Sequence, residues 1–179
     1  MRTHLIATAL LTSAIALPAM GQGMKSSAMS GSSAGSDATF VKKAAISDMY
    51  EIQASQLAQT KATNADVKTF ASKMVTDHTK TTDQLKSIVK STSGLTIPSS
   101  MDARHKMLLS RLRSASGANF DMLYAHQQLQ AHQQAVLLFT GESQNAKDAD
   151  LKKFVSDALP TLQQHLSMAQ QLPKGGAKP

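Results

Sequence analysis

Apolar residues recur every three or four positions along five stretches of this chain and almost nowhere alternate with polar ones. That period marks amphipathic helices and predicts them at about 38–62, 65–92, 99–115, 119–141 and 147–171. Asp37 or Thr39 is placed to cap the first helix and Asn64 the second. The first helix packs through small residues, Ala44, Ser47/Asp48, Ala54/Ser55 and Ala58, with Met49, Ile52 and Leu57 widening the face. The second carries Val67, Ala71, Met74, Thr81, Leu85 and Ile88, and Gly94 and Pro98 end it. Met101, Leu108, Leu109 and Leu112 mark the short third helix, and Ser116-Gly117 breaks it. Met122, Ala125, Leu129, Val136 and Phe139 form the fourth stripe, and Leu151, Val155, Ala158, Leu162, Ala169 and Leu172 the fifth. Pro160 falls inside the last helix, where a missing N–H is expected to kink it. Four long helices and one short connector predict an all-α four-helix bundle, with a crossover after the second helix and the third long helix parallel to the second.

Four slots in these stripes are polar: Glu51, His78, His132 and His165, one on each long helix. A bundle core accepts such groups when they are hydrogen-bonded, paired or coordinating an ion. At about 1.5 Å of rise per residue, Glu51, His78 and His132 fall roughly 17–21 Å from the end where the first helix turns into the second. His165 falls about 10 Å from that end on the same count. Three of the four are therefore expected to meet, with His165 outside them.

Imidazoles with a carboxylate suit one transition metal ion, Zn, Cu, Ni or Fe(II). Glu51, His78 and His132 are the candidate ligands, and His165 is a further ligand or part of a second layer. The same residues also allow a metal-free network in which Glu51, Asp77, a threonine or backbone carbonyls hold the imidazoles. Asp77, Asp121 and Tyr124 are the candidate outer partners. Asp77 points about 100° away from His78, toward a histidine on a neighbouring helix or toward solvent. Asp121 and Tyr124 follow the Gly117 break, where they are expected to cap the helix and tie the connector down; Asp121 lies about 16 Å along the helix from His132. His126 and Gln127, Gln128, Gln130, Gln133 and Gln134 read as a polar face, solvated or between helices, and His105 as exposed. Met49, Met74, Met101, Met107, Met122 and Met168 sit at helical spacing as core filler.

The N-terminus changes the picture. Arg2 and His4, an apolar run over 5–17 and Ala19-Met20-Gly21 before Gln22 have the layout of a signal peptide, residues 1–21. Its apolar run is too short to span a bilayer, so no transmembrane span is expected after cleavage. The chain has no cysteine, which excludes disulfides, thiolate metal sites and a lipid-modified N-terminal cysteine. Cleavage removes Arg2 and no acid, so the formal net charge falls from +7 to +6. That balance favours an anionic envelope component as partner, whereas scarce aromatics and export argue against nucleic acid. Residues 22–39, rich in Ser, Gly and Ala and carrying Met24 and Met29, read as a flexible linker. The bundle domain spans 40–172, and 173–179 form a disordered basic tail.

The runs FVKKAAISDMYEIQASQLAQTKATNADVKTFASKMVTDH, FDMLYAHQQLQAHQQAVLLF and LKKFVSDALPTLQQHLSMAQ closely resemble, in order, an exported ferritin-like bundle family known as domain of unknown function 4142. The resemblance covers about residues 40–172 and implies a ferritin-like helical bundle in an exported protein, often labelled an outer-membrane protein, of unestablished role. The family pattern falls on Glu51, Asp77-His78, Phe120-Asp121, Tyr124, His132, Pro160 and His165. A di-iron site would need Glu-x-x-His pairs, but Val75, Leu129 and Leu162 stand three residues before the core histidines. No strand–turn–helix nucleophile elbow or Gly-rich phosphate loop is present. The reading is therefore a non-catalytic periplasmic protein binding a transition metal in its core, in envelope stress or metal buffering. The alternative is an envelope interaction module with a basic surface and structural histidines, and a metal-dependent oxidase stands third.

Overall fold

A computed structural model of the chain describes residues 32–173. Among them are α1 (Ser32–Lys61), α2 (Ala65–Ser91), α3 (Ala103–Ser114), α4 (Gly117–Asn145) and α5 (Ala149–Gln171), with no strand. The expected signal peptide, Met24 and Met29, and most of the C-terminal tail lie outside the described residues.

The four long helices form a bundle in which α1 contacts α2 and α4, and α5 contacts α4 and α2. Contacts between α1 and α4 run in opposite senses, from Thr63–Asp121 through Tyr50–Gln127 to Asp37–Lys147, so those helices are antiparallel. Asp77–His165 and Thr92–Asp148 show the same for α2 and α5. Hence α4 runs parallel to α2 on the opposite corner, as the crossover predicts. The α3 helix lies on α1 and α4 and carries the chain between the two ends of the bundle.

Local chemistry sets the ends. The Asn64 side chain accepts the amides of Asp66 and Val67 to cap α2. Asp102 and Asp148 do the same for α3 and α5. Gly117 opens α4 at φ +56°, a left-handed conformation in which a side chain would be strained. Asp37 does not cap the first helix, and neither does Thr39: α1 begins earlier, at Ser32, inside the stretch read as linker. Instead the buried Asp37 carboxylate accepts the amides of Lys147 and Asp148, closing the turn between α4 and α5. Pro160 is accommodated inside α5.

The apolar core is split in two. One cluster holds Tyr50, Phe70, Met74, Leu112, Phe120 and Tyr124, and the other Phe40, Leu85, Phe139, Leu151, Phe154 and Leu162. A polar layer separates them: three long helices change from one cluster to the other across their histidine, Met74 to Leu85 on α2, Ala125 to Phe139 on α4 and Ala169 to Leu162 on α5, and α1 changes around Asp48, between Ala45 and Tyr50. Met74 and Met101 are buried as expected, but Met107 is exposed on the outer side of α3. Gln127 and Gln128 are buried, not solvated, whereas Gln130, Gln133, Gln134 and His126 face water. His105 is half-buried against the Tyr50 ring rather than exposed.

Candidate metal centre

His78, His132 and His165 converge in the polar layer. Their ring centroids lie 5.7 Å (His78–His132), 5.5 Å (His78–His165) and 5.3 Å (His132–His165) apart. One nitrogen from each ring lies within 4.8 Å of the others. The expectation that His165 would sit apart is therefore corrected. It came from counting at the end where α1 turns into α2, but α5 is the shortest long helix and stops short of that end. The Asp37 carboxylate fixes α5 at the opposite end. Counted from there, His78, His132 and His165 all lie roughly 20–24 Å down their helices.

Each imidazole has one nitrogen tied to the scaffold. His78 Nδ1 donates to Asp48 Oδ1 at 2.8 Å, and the other Asp48 oxygen accepts from Thr81 and Thr82. His132 Nδ1 donates to the Gln128 carbonyl one turn earlier, at 2.9 Å. His165 Nε2 donates to Asp77 Oδ2 at 2.7 Å, and Lys73 completes that chain at 2.8 Å from the same oxygen. The remaining nitrogens, Nε2 of His78, Nε2 of His132 and Nδ1 of His165, are buried and have no partner. Hydrogen bonding on one ring nitrogen fixes the tautomer that leaves a lone pair on the other. The three rings thus meet in one buried layer, each with one nitrogen unpartnered, an arrangement that a shared cation would satisfy.

Electrostatics agree with this for His132 and His165. Burial, followed by the proximity of His78, pushes His132 down to about 3 despite the carbonyl bond. Burial takes His165 down to about 4, against the opposing bond to Asp77. Both rings are neutral near pH 7 and available as ligands. Burial would lower His78 as well, but the hydrogen bond and charge of Asp48, with Glu51 and Asp77 behind it, raise it above the ordinary imidazole value.

Glu51 lies in the same layer but outside the close nitrogen group. Both of its oxygens are buried without a hydrogen-bond partner. Burial raises its pKa to about 7; His78 and the nearby Gln128 amide, which falls short of hydrogen-bonding geometry, pull it down, and Asp48 pushes it up. Unpartnered buried atoms are concentrated here: Glu51, His78, Gln128, His132 and His165 hold all of those found among the described residues except Glu142 Oε1. A native core normally keeps such groups paired, so the layer is built for something that completes it.

The outer partners divide. Asp77 holds His165 directly. Asp121 makes no bond to a histidine; it accepts the amides of Thr63 and Asn64 and the Thr63 hydroxyl, fastening the α1–α2 connection to the start of α4. The Tyr124 hydroxyl pairs with Ser55 at 2.8 Å, and its ring packs on Phe70 and Phe120. Asp48 and Gln128 were missed as site residues. Asp48 sits three residues before Glu51 on the same packing face, and Gln128 four before His132; that spacing was the available signal.

Any ion held here would be shielded from water by the two apolar clusters. Bonds of about 2 Å to three imidazoles place the nitrogens roughly 3.5 Å apart, so modest ring movements would close the set around an ion.

Three solved structures of the protein named CopM share the fold. The Cu(II)-bound form aligns with a TM-score of 0.65 at 21% identity, covering 75% of this chain and 93% of that one. The Cu(I)-bound form gives 0.64 at 21% identity, with the same coverage. The Ag-bound form obtained by co-crystallization gives 0.63 at 20% identity, again covering 75% and 93%. No curated protein matches the chain. The family described as Domain of unknown function (DUF4142) matches residues 22–172, and this four-helix bundle with its layer of core histidines belongs to it.

Proposed function

We propose that the protein is an exported metal-binding bundle that holds one transition metal ion through His78, His132 and His165, with Glu51 as the neighbouring carboxylate that offsets the ion's charge. The observation that carries this reading is the buried cluster of three imidazoles, one nitrogen of each within 4.8 Å of the others, with each ring anchored through one nitrogen and unpartnered at the other. Imidazole ligands suit Cu, Zn, Ni and Fe(II), and the copper- and silver-bound neighbours of the same fold make copper the first metal to test. No histidine is preceded by a ferritin-type glutamate, so the reading is sequestration or buffering rather than oxygen chemistry. Residues 1–21 as a signal peptide, 22–39 as a tether and an envelope location belong to the same proposal. No helix among the described residues is long and apolar enough to cross a membrane.

The test is equilibrium titration of metal-free protein with Cu(I), Cu(II), Zn, Ni and Fe(II), with elemental analysis after desalting. Wild type is expected to retain about one ion per chain, and the His78→Ala/His132→Ala double variant none. Loss of metal from the wild type on desalting, or equal retention by the double variant, overturns the reading.

A further inference from the structure

We infer that the ion reaches the histidine layer through the seam between α1 and α4, by way of the groove that α3 leaves open beside it. This rests on the metal-binding reading above and concerns how that site is filled.

Two cavities carry the argument. An open groove of about 600 Å³ lies among α1, α3 and α4, with Tyr50, His105 and Leu108 on its walls. A much smaller cavity, about 20 Å³, lies inside the bundle with Asp48 and His78 on its wall. Ser47, Ala135 and Leu138 line both. One layer of three half-buried side chains therefore separates solvent in the groove from the His78 imidazole. Two of the three are small, so modest movement of Leu138 joins the spaces. The inner cavity has room for about one water-sized particle, so the ion must shed most of its hydration on entry. The Asp48 carboxylate on that wall gives the dehydrated cation an anionic oxygen beside its first imidazole.

Two other approaches are obstructed. Apolar clusters cover the layer on both sides along the bundle axis. At the α2–α5 seam, Asp77 already occupies the outward nitrogen of His165, and Lys73 is bonded to the same carboxylate. The groove rim also carries Lys43 and Arg104 beside Asp102, so the seam admits an ion by width rather than by electrostatic attraction.

The experiment is stopped-flow loading of the metal-free full chain with Cu(II), followed by its copper–imidazole absorbance, with equilibrium affinity measured alongside. Ala135→Leu and Ser47→Leu are expected to slow loading by about tenfold with little change in affinity, because the ligands are untouched. Leu138→Ala is expected to speed it, and it keeps the test open if the larger side chains prevent folding. Ser87→Leu, in the separate groove between α2 and α5, should leave the rate unchanged. Unaltered rates in the seam variants, or slower loading in Ser87→Leu, overturn the route while leaving the metal site standing. A wild type that takes up no stoichiometric Cu(II) overturns the metal reading itself and the route with it.

Discussion

Asp48 grips His78 from the adjacent helix, Oδ1 to Nδ1 at 2.8 Å, and is itself held by Thr81 and Thr82 on its other oxygen. One hydrogen bond thus ties the ring, two more hold the carboxylate that makes it, and the ring's Nε2 is left without a partner. Partners of this kind typically supply 10–100-fold in metal affinity, an order-of-magnitude expectation. Asp48→Asn retains the size of the side chain but loses the charge that favours His78 as a donor. It is expected to weaken copper binding by roughly that factor while leaving the helical content intact, measured by competition with a chromophoric chelator. Unchanged affinity would show that Asp48 serves the fold alone.

Removing one imidazole separates a metal site from a structural network. His132 Nε2 is an orphan in the metal-free protein, and its Nδ1 bond goes to a carbonyl of its own helix. Burying such an unpaired group costs about 1–3 kcal/mol. His132→Leu restores the residue type its stripe calls for, so the metal-free variant is expected to melt a few degrees higher than the metal-free wild type. It should also lose copper binding. A lower melting temperature would mean that His132 stabilises the fold through bonds of its own.

The pH dependence of the metal-free protein follows from the same burial. His132 and His165 are held at about 3 and about 4, below the ordinary 6.5. The unfolded chain takes up those protons first, so stability falls as pH drops from 6.5 toward the folded values. Glu51 and Glu142 act oppositely. Burial raises both to about 7, and Asp37 adds to the effect at Glu142, so the stability they confer is present below 4.5 and lost as pH rises through 7. The two effects oppose one another between 4.5 and 6.5, and below 4.5 the imidazoles dominate among these four groups. Denaturant melts of wild type and His132→Leu at pH 6.5 and pH 4 should show the smaller acid loss in the variant. Parallel losses would assign the acid sensitivity to other groups.

Asp121 supplies a control away from the metal. Its carboxylate accepts the amides of Thr63 and Asn64 and the Thr63 hydroxyl. Asp121→Ala leaves those donors without their partner and is expected to cost about 2 kcal/mol of stability. Copper affinity in the folded variant should match the wild type. A selective loss of copper binding would place Asp121 in the site after all.

The angular half of this site was legible in the sequence, and the axial half was not. A 3.6-residue period fixes which side of a helix a residue faces, so Glu51, His78, His132 and His165 could be assigned to the core from position alone. Asn64 as a cap, the parallel course of α2 and α4 and the missing Glu-x-x-His motif likewise follow from residue type, spacing and connector length. Periodicity carries no information about how far one helix slides along another. That stagger was decided by long-range bonds, above all from Asp37 to the amides of Lys147 and Asp148, which bring His165 level with its partners. Only the assembled bundle decided which nitrogen of each ring is tied down and which is left open. The ties run from His78 to Asp48 and from His165 to Asp77 across helix pairs, and the ring of His132 turns back to its own helix. Local sequence sets the direction of a side chain, but the partner it meets depends on a neighbouring helix placed by packing and by the hydrogen bonds at its ends.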